Sequence, residues 1–370
     1  MAATGLAQGK PALNTAPLLS RPARSLALIV LAASCALASA RTPVRKPAPA
    51  PETYATSAPA MALADELAQA QGLDLAWVRQ QIGAAQRQPA VIRLMRPAPS
   101  GTPKNWSAYR ARFIEPVRLR AGERFWLENR DTLERAEREY GVPASLIVGV
   151  IGVETLYGRH TGNFRVLDAL STLALEFPPE HPRAVARQQF FRDELGHFLR
   201  LAREQGLDPQ TPRGSYAGAM GWPQFMPSSW QRFAVDFNGD GRIDLFHSVE
   251  DVIGSVAHYF KTYGWQSGQA THYPVRFDNS RLDLDALLAP DILPSFDVHS
   301  FTAKGAVLDG EALQHPGKLA LIELQNGSEP PSYLAGTDNF YVVTRYNWSS
   351  YYALAVIELG RTIEAGLPPR

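Results

Sequence analysis

Glu154 ends an otherwise apolar run, Ala144-Ser145-Leu146-Ile147-Val148-Gly149-Val150-Ile151-Gly152-Val153. As a helix, this run sets Leu146, Ile147, Val150 and Ile151 on the same stripe as Glu154, so a lone carboxyl projects from a face that should be buried. Taking an ionised carboxylate out of water is costly unless it is paired, and the usual response is a raised pKa that keeps it protonated near neutrality. A carboxyl in that state can serve as a general acid. Periodicity alone leaves a second reading open, in which Glu154 sits at the helix rim, solvated or paired with Arg159 as the helix ends near Gly158.

A second group of oxygen donors lies in Asp236-Phe237-Asn238-Gly239-Asp240-Gly241-Arg242-Ile243-Asp244. Asp236, Asn238 and Asp240 fall at the first, third and fifth positions, Gly241 at the sixth allows a sharp turn, and Arg242 at the seventh offers its backbone carbonyl. That spacing is the EF-hand signature, and the hard oxygen set suits calcium in a structural role. The twelfth position holds His247 where a bidentate glutamate normally closes the site, so closure waits for Glu250 in a longer loop. The alternative is a solvated Asn/Asp/Gly turn. A further carboxylate, Asp168, opens the apolar helical stretch Asp168-Ala169-Leu170-Ser171 and reads as a helix N-cap, its alternative being a second catalytic carboxylate.

The chain that must position these groups has 370 residues, enough for a substantial core and more than one subdomain. Its 37 basic and 36 acidic residues nearly cancel, which gives no global field to attract nucleic acid or an anionic membrane. At the N-terminus, Arg21 and Arg24 precede the apolar run Leu26 to Leu31, and small residues lead to Ala38-Ser39-Ala40. Residues 1–40 therefore read as a secretory signal peptide, too short to span a bilayer as a helix. Cleavage after Ala40 competes with lipid attachment at Cys35, and only the second would tie the chain to a membrane. Cys35 is the only cysteine, so the mature fold has no intramolecular disulfide.

Residues 41–60 are rich in Pro and Ala and read as a disordered tether. Apolar positions recur at helical spacing from Met61 to Ile82 and from Arg124 to Tyr140, after which Gly141 and Pro143 stop one helix and start the next. The texture changes after Gly264, where alternating segments such as Tyr273-Pro274-Val275-Arg276-Phe277 and Leu319 to Leu324 predict a small antiparallel β insertion. Ser350 to Ala365 is again apolar at helical spacing and should pack back onto the helical body. The fold class is α+β, mainly α: a helical subdomain over 61–140 completed by 336–370, a core over 141–264 containing the loop 236–250, and a β subdomain over 265–335.

Three blocks carry a resemblance. Ile151-Gly152-Val153-Glu154-Thr155-Leu156-Tyr157-Gly158 resembles the catalytic motif of the membrane-bound lytic murein transglycosylase B family. Gly214 through Ser229 resembles its substrate-cleft motif, and Asn339-Phe340-Tyr341 through Arg345-Tyr346-Asn347 its C-terminal block, the matches running in the family's order from about Trp106 to Leu359. The resemblance implies a lysozyme-like core in a periplasmic enzyme that cleaves the glycan strands of peptidoglycan, leaving 1,6-anhydromuramoyl ends, with Glu154 as acid/base. It implies glycan contacts at Tyr109, Ser215, Gln224, Phe225, Tyr259, Tyr346, Asn347 and Tyr352, and an elongated EF-hand-like calcium loop. Pro223 stands where the family has glycine and Phe190 where it has tyrosine, while Trp230 and Phe233 read as core. Cell-wall synthases are the candidate protein partners of a chain expected to be monomeric. A hydrolytic muramidase and a non-catalytic peptidoglycan-binding protein are the alternatives.

Overall fold

The computed structural model describes residues 52–97 and 104–368, so the signal peptide expected over residues 1–40 and Cys35 lie outside the described residues. The tether expected up to residue 60 is corrected over its last part, because residues 52–60 belong to the fold. Thr53 bridges Gln86, and Tyr54 is buried with its hydroxyl donating to Glu176 at 3.0 Å. One aromatic ring in a Pro/Ala-rich segment is enough to anchor it when a pocket awaits it. The helical stretch read from Met61 to Ile82 is two helices, Ala58–Gln71 and Leu75–Ala84. Gly72 breaks them apart in the left-handed region at φ 64, and Asp74 restarts the chain by capping the N–H of Trp77.

At the centre lies helix Ala144–Thr155, buried from Leu146 through Gly152. Its glycines make full burial possible. A Cβ on Gly149 would fall inside the carbonyl oxygen of Val356, and one on Gly360 inside that of Ser145, so helix Ser350–Gly366 crosses here with the two backbones nearly touching. The apolar run is therefore covered all round, not on one stripe.

The β part follows from alternation and turn residues. Strand Glu329–Gly336 pairs antiparallel with His272–Pro274 on one side and Ala320–Asn326 on the other, Tyr273 and Leu321 both facing Ala335 in register. The stretch 273–277 is not one strand: beyond Val275, Arg276–Phe277 pairs with Ala306–Val307 in a separate ladder. Leu287, Phe301, Leu308 and Leu321 close a small core of their own beneath this part. The chain is thus mostly helical with small antiparallel sheets.

Candidate active site

Glu154 lies in the last turn of the central helix, partly buried, and its Oε1 accepts a 2.6 Å hydrogen bond from the Tyr352 hydroxyl. Burial raises its pKa to about 7 from an ordinary 4.5, against the opposing pull of the Tyr352 hydrogen bond. Arg159, the alternative partner, is exposed. Burial first, then the charge of Glu154, push the phenols of Tyr346 and Tyr352 well above their usual range, so both stay protonated as donors.

The two tyrosines stack at 6.1 Å with ring planes 15° apart. Behind Tyr346 stand Tyr259 at 4.8 Å and Phe225 at 5.9 Å, both buried, so the structure places these two rings as backing to Tyr346. Tyr259 donates its hydroxyl to the carbonyl of Arg345 at 2.8 Å, which holds the turn carrying Tyr346 and Asn347. Asn347 is exposed in that turn. Tyr109, on helix Trp106–Arg110, is partly buried, and its phenol is pushed upward by burial and then by the charge of Glu154.

The glycine-rich loop after strand Arg213–Gly214 is clamped from several sides. Ser215 Oγ accepts the N–H groups of Ala217 and Ala219 at 3.2 and 3.0 Å, turning the chain back on itself. Gln224 has a left-handed backbone, φ 51, and its side-chain amide donates to Thr161 O and Gly221 O at 3.1 and 2.9 Å. Two successive carbonyls of the loop are then gripped by residues next to Glu154 and Tyr352: Thr155 donates to Trp222 O at 3.0 Å and Tyr346, stacked on Tyr352, to Pro223 O at 2.6 Å. Trp230 and Phe233 are buried core residues, as their apolar spacing suggests, and Tyr216 is exposed. Phe190 is partly buried, with the Arg187 guanidinium 5.3 Å from its ring.

Thr155 was legible only as part of the motif around Glu154; its role as the tie to Trp222 depends on a long-range approach that spacing does not encode. Asp168 is corrected. Helix Val166–Leu175 is capped at Arg165, and Asp168 is buried in its first turn. Its carboxylate accepts from Gln86 N at 2.8 Å, Gln88 Nε2 at 3.2 Å and Arg165 at 2.6 Å, so it ties the segment after helix Leu75–Ala84 to the core. A carboxylate so occupied is neither a cap nor a partner for Glu154.

In the loop at 236–250, Asp236 accepts the N–H groups of Gly239, Asp240 and Gly241 at 2.7, 3.2 and 2.7 Å. Asn238 accepts from Asp240 N and Asp240 from Arg242 N, giving a tight coil in which Gly239 and Gly241 take φ 77 and 87. Buried Asp251 fastens the ends by accepting from Phe237 N and Asp244 N, both at 2.8 Å. The donors at 236, 238, 240 and the carbonyl of 242 are all hard oxygens and fit a calcium ion in kind. Glu250 is exposed in the first turn of helix Val249–Thr262, and among the described residues no three His, Cys, Asp or Glu side chains group as a metal cluster. The loop continues into Leu245 and Phe246, whose carbonyls accept the backbone and indole N–H groups of Trp222, both at 3.0 Å.

The family described as Transglycosylase SLT domain matches residues 56–361. Membrane-bound lytic murein transglycosylase B of Escherichia coli (strain K12) is 38% identical over 328 residues, 84% of this chain and 84% of that protein. The crystal structure of soluble lytic transglycosylase SltB1 from Pseudomonas aeruginosa is similar at a TM-score of 0.72 and 38% identity, covering 83% of this chain and 98% of that one. The Escherichia coli lytic transglycosylase Slt35 in complex with calcium is similar at a TM-score of 0.71 and 36% identity, over 84% of this chain and 94% of that one.

Proposed function

This chain belongs to the transglycosylase SLT domain family and cleaves peptidoglycan as a lytic transglycosylase, and we propose that Glu154 alone serves as its acid and its base. One observation carries the proposal: Glu154 is held by the Tyr352 hydroxyl at 2.6 Å, while Asp168, the carboxylate that could have served as its partner, is occupied by Gln86, Gln88 and Arg165. A two-carboxylate glycosidase needs such a partner.

In the cleavage step Glu154 gives its proton to the glycosidic oxygen as the bond from muramoyl C1 to that oxygen breaks. The carboxylate so formed takes the proton of the muramoyl C6 hydroxyl while that oxygen bonds to C1. Atoms balance without water, and Glu154 ends protonated, ready for the next bond. Tyr352 holds the anion formed midway, where a charge-assisted hydrogen bond is strongest. The loop carrying Ser215 and Gln224, with Tyr346, Asn347 and Tyr109, frames the sugar rings over the backing provided by Phe225 and Tyr259.

The test is digestion of purified sacculi in water enriched with oxygen-18. Muramoyl ends free of the heavy isotope and lighter by one water than a muramidase product are expected. Labelled, reducing muramic ends as the main product would overturn the single-residue reading.

Such a substrate places the work of this enzyme in the cell envelope. Export by residues 1–40 into the periplasm, with Cys35 as the lipid-bearing alternative, is our reading of the leader; among the described residues no helix is long and apolar enough to cross a membrane. We assign Asp236, Asn238, Asp240, the carbonyl of Arg242 and Glu250 as the calcium ligands of the loop, supported by their oxygen chemistry and by the calcium complex of Slt35. When bound, the ion supplies cohesion to the loop and takes no part in the chemistry.

A further inference from the structure

The chain leaves the catalytic helix in a conformation its residues do not favour. Leu156 and Tyr157 take φ 50 and 57, a left-handed backbone that is costly for any residue with a Cβ, and both are buried. Strain of this kind lasts only where the surroundings over-determine it, and here it falls just past Glu154. The Tyr157 side chain supplies the hold. Its ring stacks on Phe125 of helix Pro116–Glu128 at 5.1 Å with planes 28° apart. Its hydroxyl runs into a notch between two glycines, Gly122 on that helix and Gly152 on helix Ala144–Thr155, and a Cβ on either would overlap the hydroxyl oxygen. Leu359 and Ile363 close the notch from helix Ser350–Gly366, the helix that carries Tyr352.

The hydroxyl does no proton chemistry there. It is buried and, among the described residues, makes no hydrogen bond, and burial holds the phenol well above its usual range against the pull of the Arg118 guanidinium. A buried hydroxyl without a partner adds nothing to stability by itself, so its contribution is one of shape. The tip of the ring fills the point where three helices meet, and Arg118 adds a tie by donating from Nε to the carbonyl of Gly152 at 3.0 Å. Two of these helices bear the catalytic pair: Glu154 lies at the end of one and Tyr352 on another, joined by the 2.6 Å hydrogen bond. A bond that short tolerates little change in the spacing or rotation of the helices that carry its ends.

We infer that Tyr157 is a positioning residue for the cleavage step: wedged between Gly122, Gly152 and the helix of Tyr352, it holds the strained helix end so that the Glu154 carboxyl stays buried against the Tyr352 hydroxyl. The inference rests on Glu154 as the acid and adds the device that keeps it aimed. Tyr157 acts on the reaction only through these two residues.

The experiment measures kcat, KM and the pH dependence of kcat/KM for the full enzyme on purified glycan strands, counting anhydro ends. Tyr157→Leu empties the notch and should lower kcat by roughly ten- to a hundredfold with KM within about twofold, because the reacting group loses its placement while the cleft does not. Its alkaline limb, expected near pH 7 in the unaltered enzyme, should move down as the carboxyl reaches water. A loss of folded protein alone would lower the rate without moving that limb. Tyr157→Phe keeps the ring in place and should stay within about threefold of the unaltered kcat. Gly152→Ala drives a methyl group into the ring tip and should lower kcat as Tyr157→Leu does. Adding Tyr157→Phe to it removes the oxygen that the methyl meets most closely and should recover about fivefold or more, so this pair decides the matter should Tyr157→Leu not fold. A folded Tyr157→Leu with the unaltered kcat and limb, or a Gly152→Ala loss that Tyr157→Phe leaves untouched, overturns the inference. Glu154→Gln is run alongside, and cleavage that survives in it would instead overturn the reading of Glu154 as the acid.

Discussion

The Tyr352 hydroxyl sits 2.6 Å from Oε1 of Glu154 although 198 residues separate the two in the chain. Burial raises the Glu154 pKa to about 7 and Tyr352 pulls it down. An acid must hold its proton to act, so kcat/KM should fall as pH rises through about 7. Tyr352→Phe removes the downward pull, so this alkaline limb should move to higher pH. The plateau rate should drop roughly tenfold or more, because the carboxylate formed midway loses a hydrogen bond to a charged group. A pH–rate profile of both proteins checks this, and a limb that moves down would refute it.

The same raised pKa sets a conflict between stability and activity. Unfolded Glu154 ionises near 4.5 and folded Glu154 near 7, so stability is fully present below the lower value and is lost as pH rises through the interval. A shift of that size corresponds to roughly 3 kcal/mol at pH 8. Glu154→Gln cannot ionise, so it should abolish cleavage yet gain on the native enzyme in urea melts between pH 4 and pH 8. A stability difference that does not change with pH would remove burial as the cause of the shift.

Calcium should raise the melting temperature by a few degrees at concentrations well above its dissociation constant, since a ligand held only by the native state stabilises it by mass action. Asp236 also accepts three backbone N–H groups, so Asp236→Ala lowers stability with or without the ion. The informative quantity is therefore the gain on adding calcium, which Asp240→Asn should abolish while leaving the metal-free melt nearly in place. An equal gain in Asp240→Asn would displace the ion from this loop.

Glu154 was legible because a charge in an apolar helix breaks a pattern, and the helical texture and the strands near Tyr273 and Leu321 followed from periodicity. What escaped depends on distant partners. Asp168 has the same local context whether it caps a helix or bonds Gln86 from the first turn; only the packed chain distinguishes them. Tyr54 anchors a segment whose composition says tether, because one ring finding Glu176 outweighs the prolines around it. Gly149 and Gly360 are each the flat spot that lets two helices touch, a role that depends on the partner helix and not on local sequence.

Thr155 supplies the last prediction. Its hydroxyl is buried, donates to Trp222 O at 3.0 Å and accepts the N–H of Gly158 at 3.0 Å, just as the chain leaves the helix through Leu156 and Tyr157 at φ 50 and 57. Three groups that set the geometry around Glu154 thus meet on one oxygen: the helix end, the turn after it, and the loop that presents Ser215 and Gln224. Thr155→Val keeps the volume but strands the Trp222 carbonyl and the Gly158 N–H, which should cost about 1–3 kcal/mol of stability. Displacement of the loop relative to the carboxyl should lower kcat by roughly ten- to a hundredfold, since catalysis is steep in the placement of reacting groups. Thr155→Ser keeps the hydroxyl and should retain most of the rate, with only a small loss of stability from the missing methyl. Steady-state kinetics and urea melts on the pair decide the matter: a Val variant as active as the Ser variant would show that the loop holds its place without this tie.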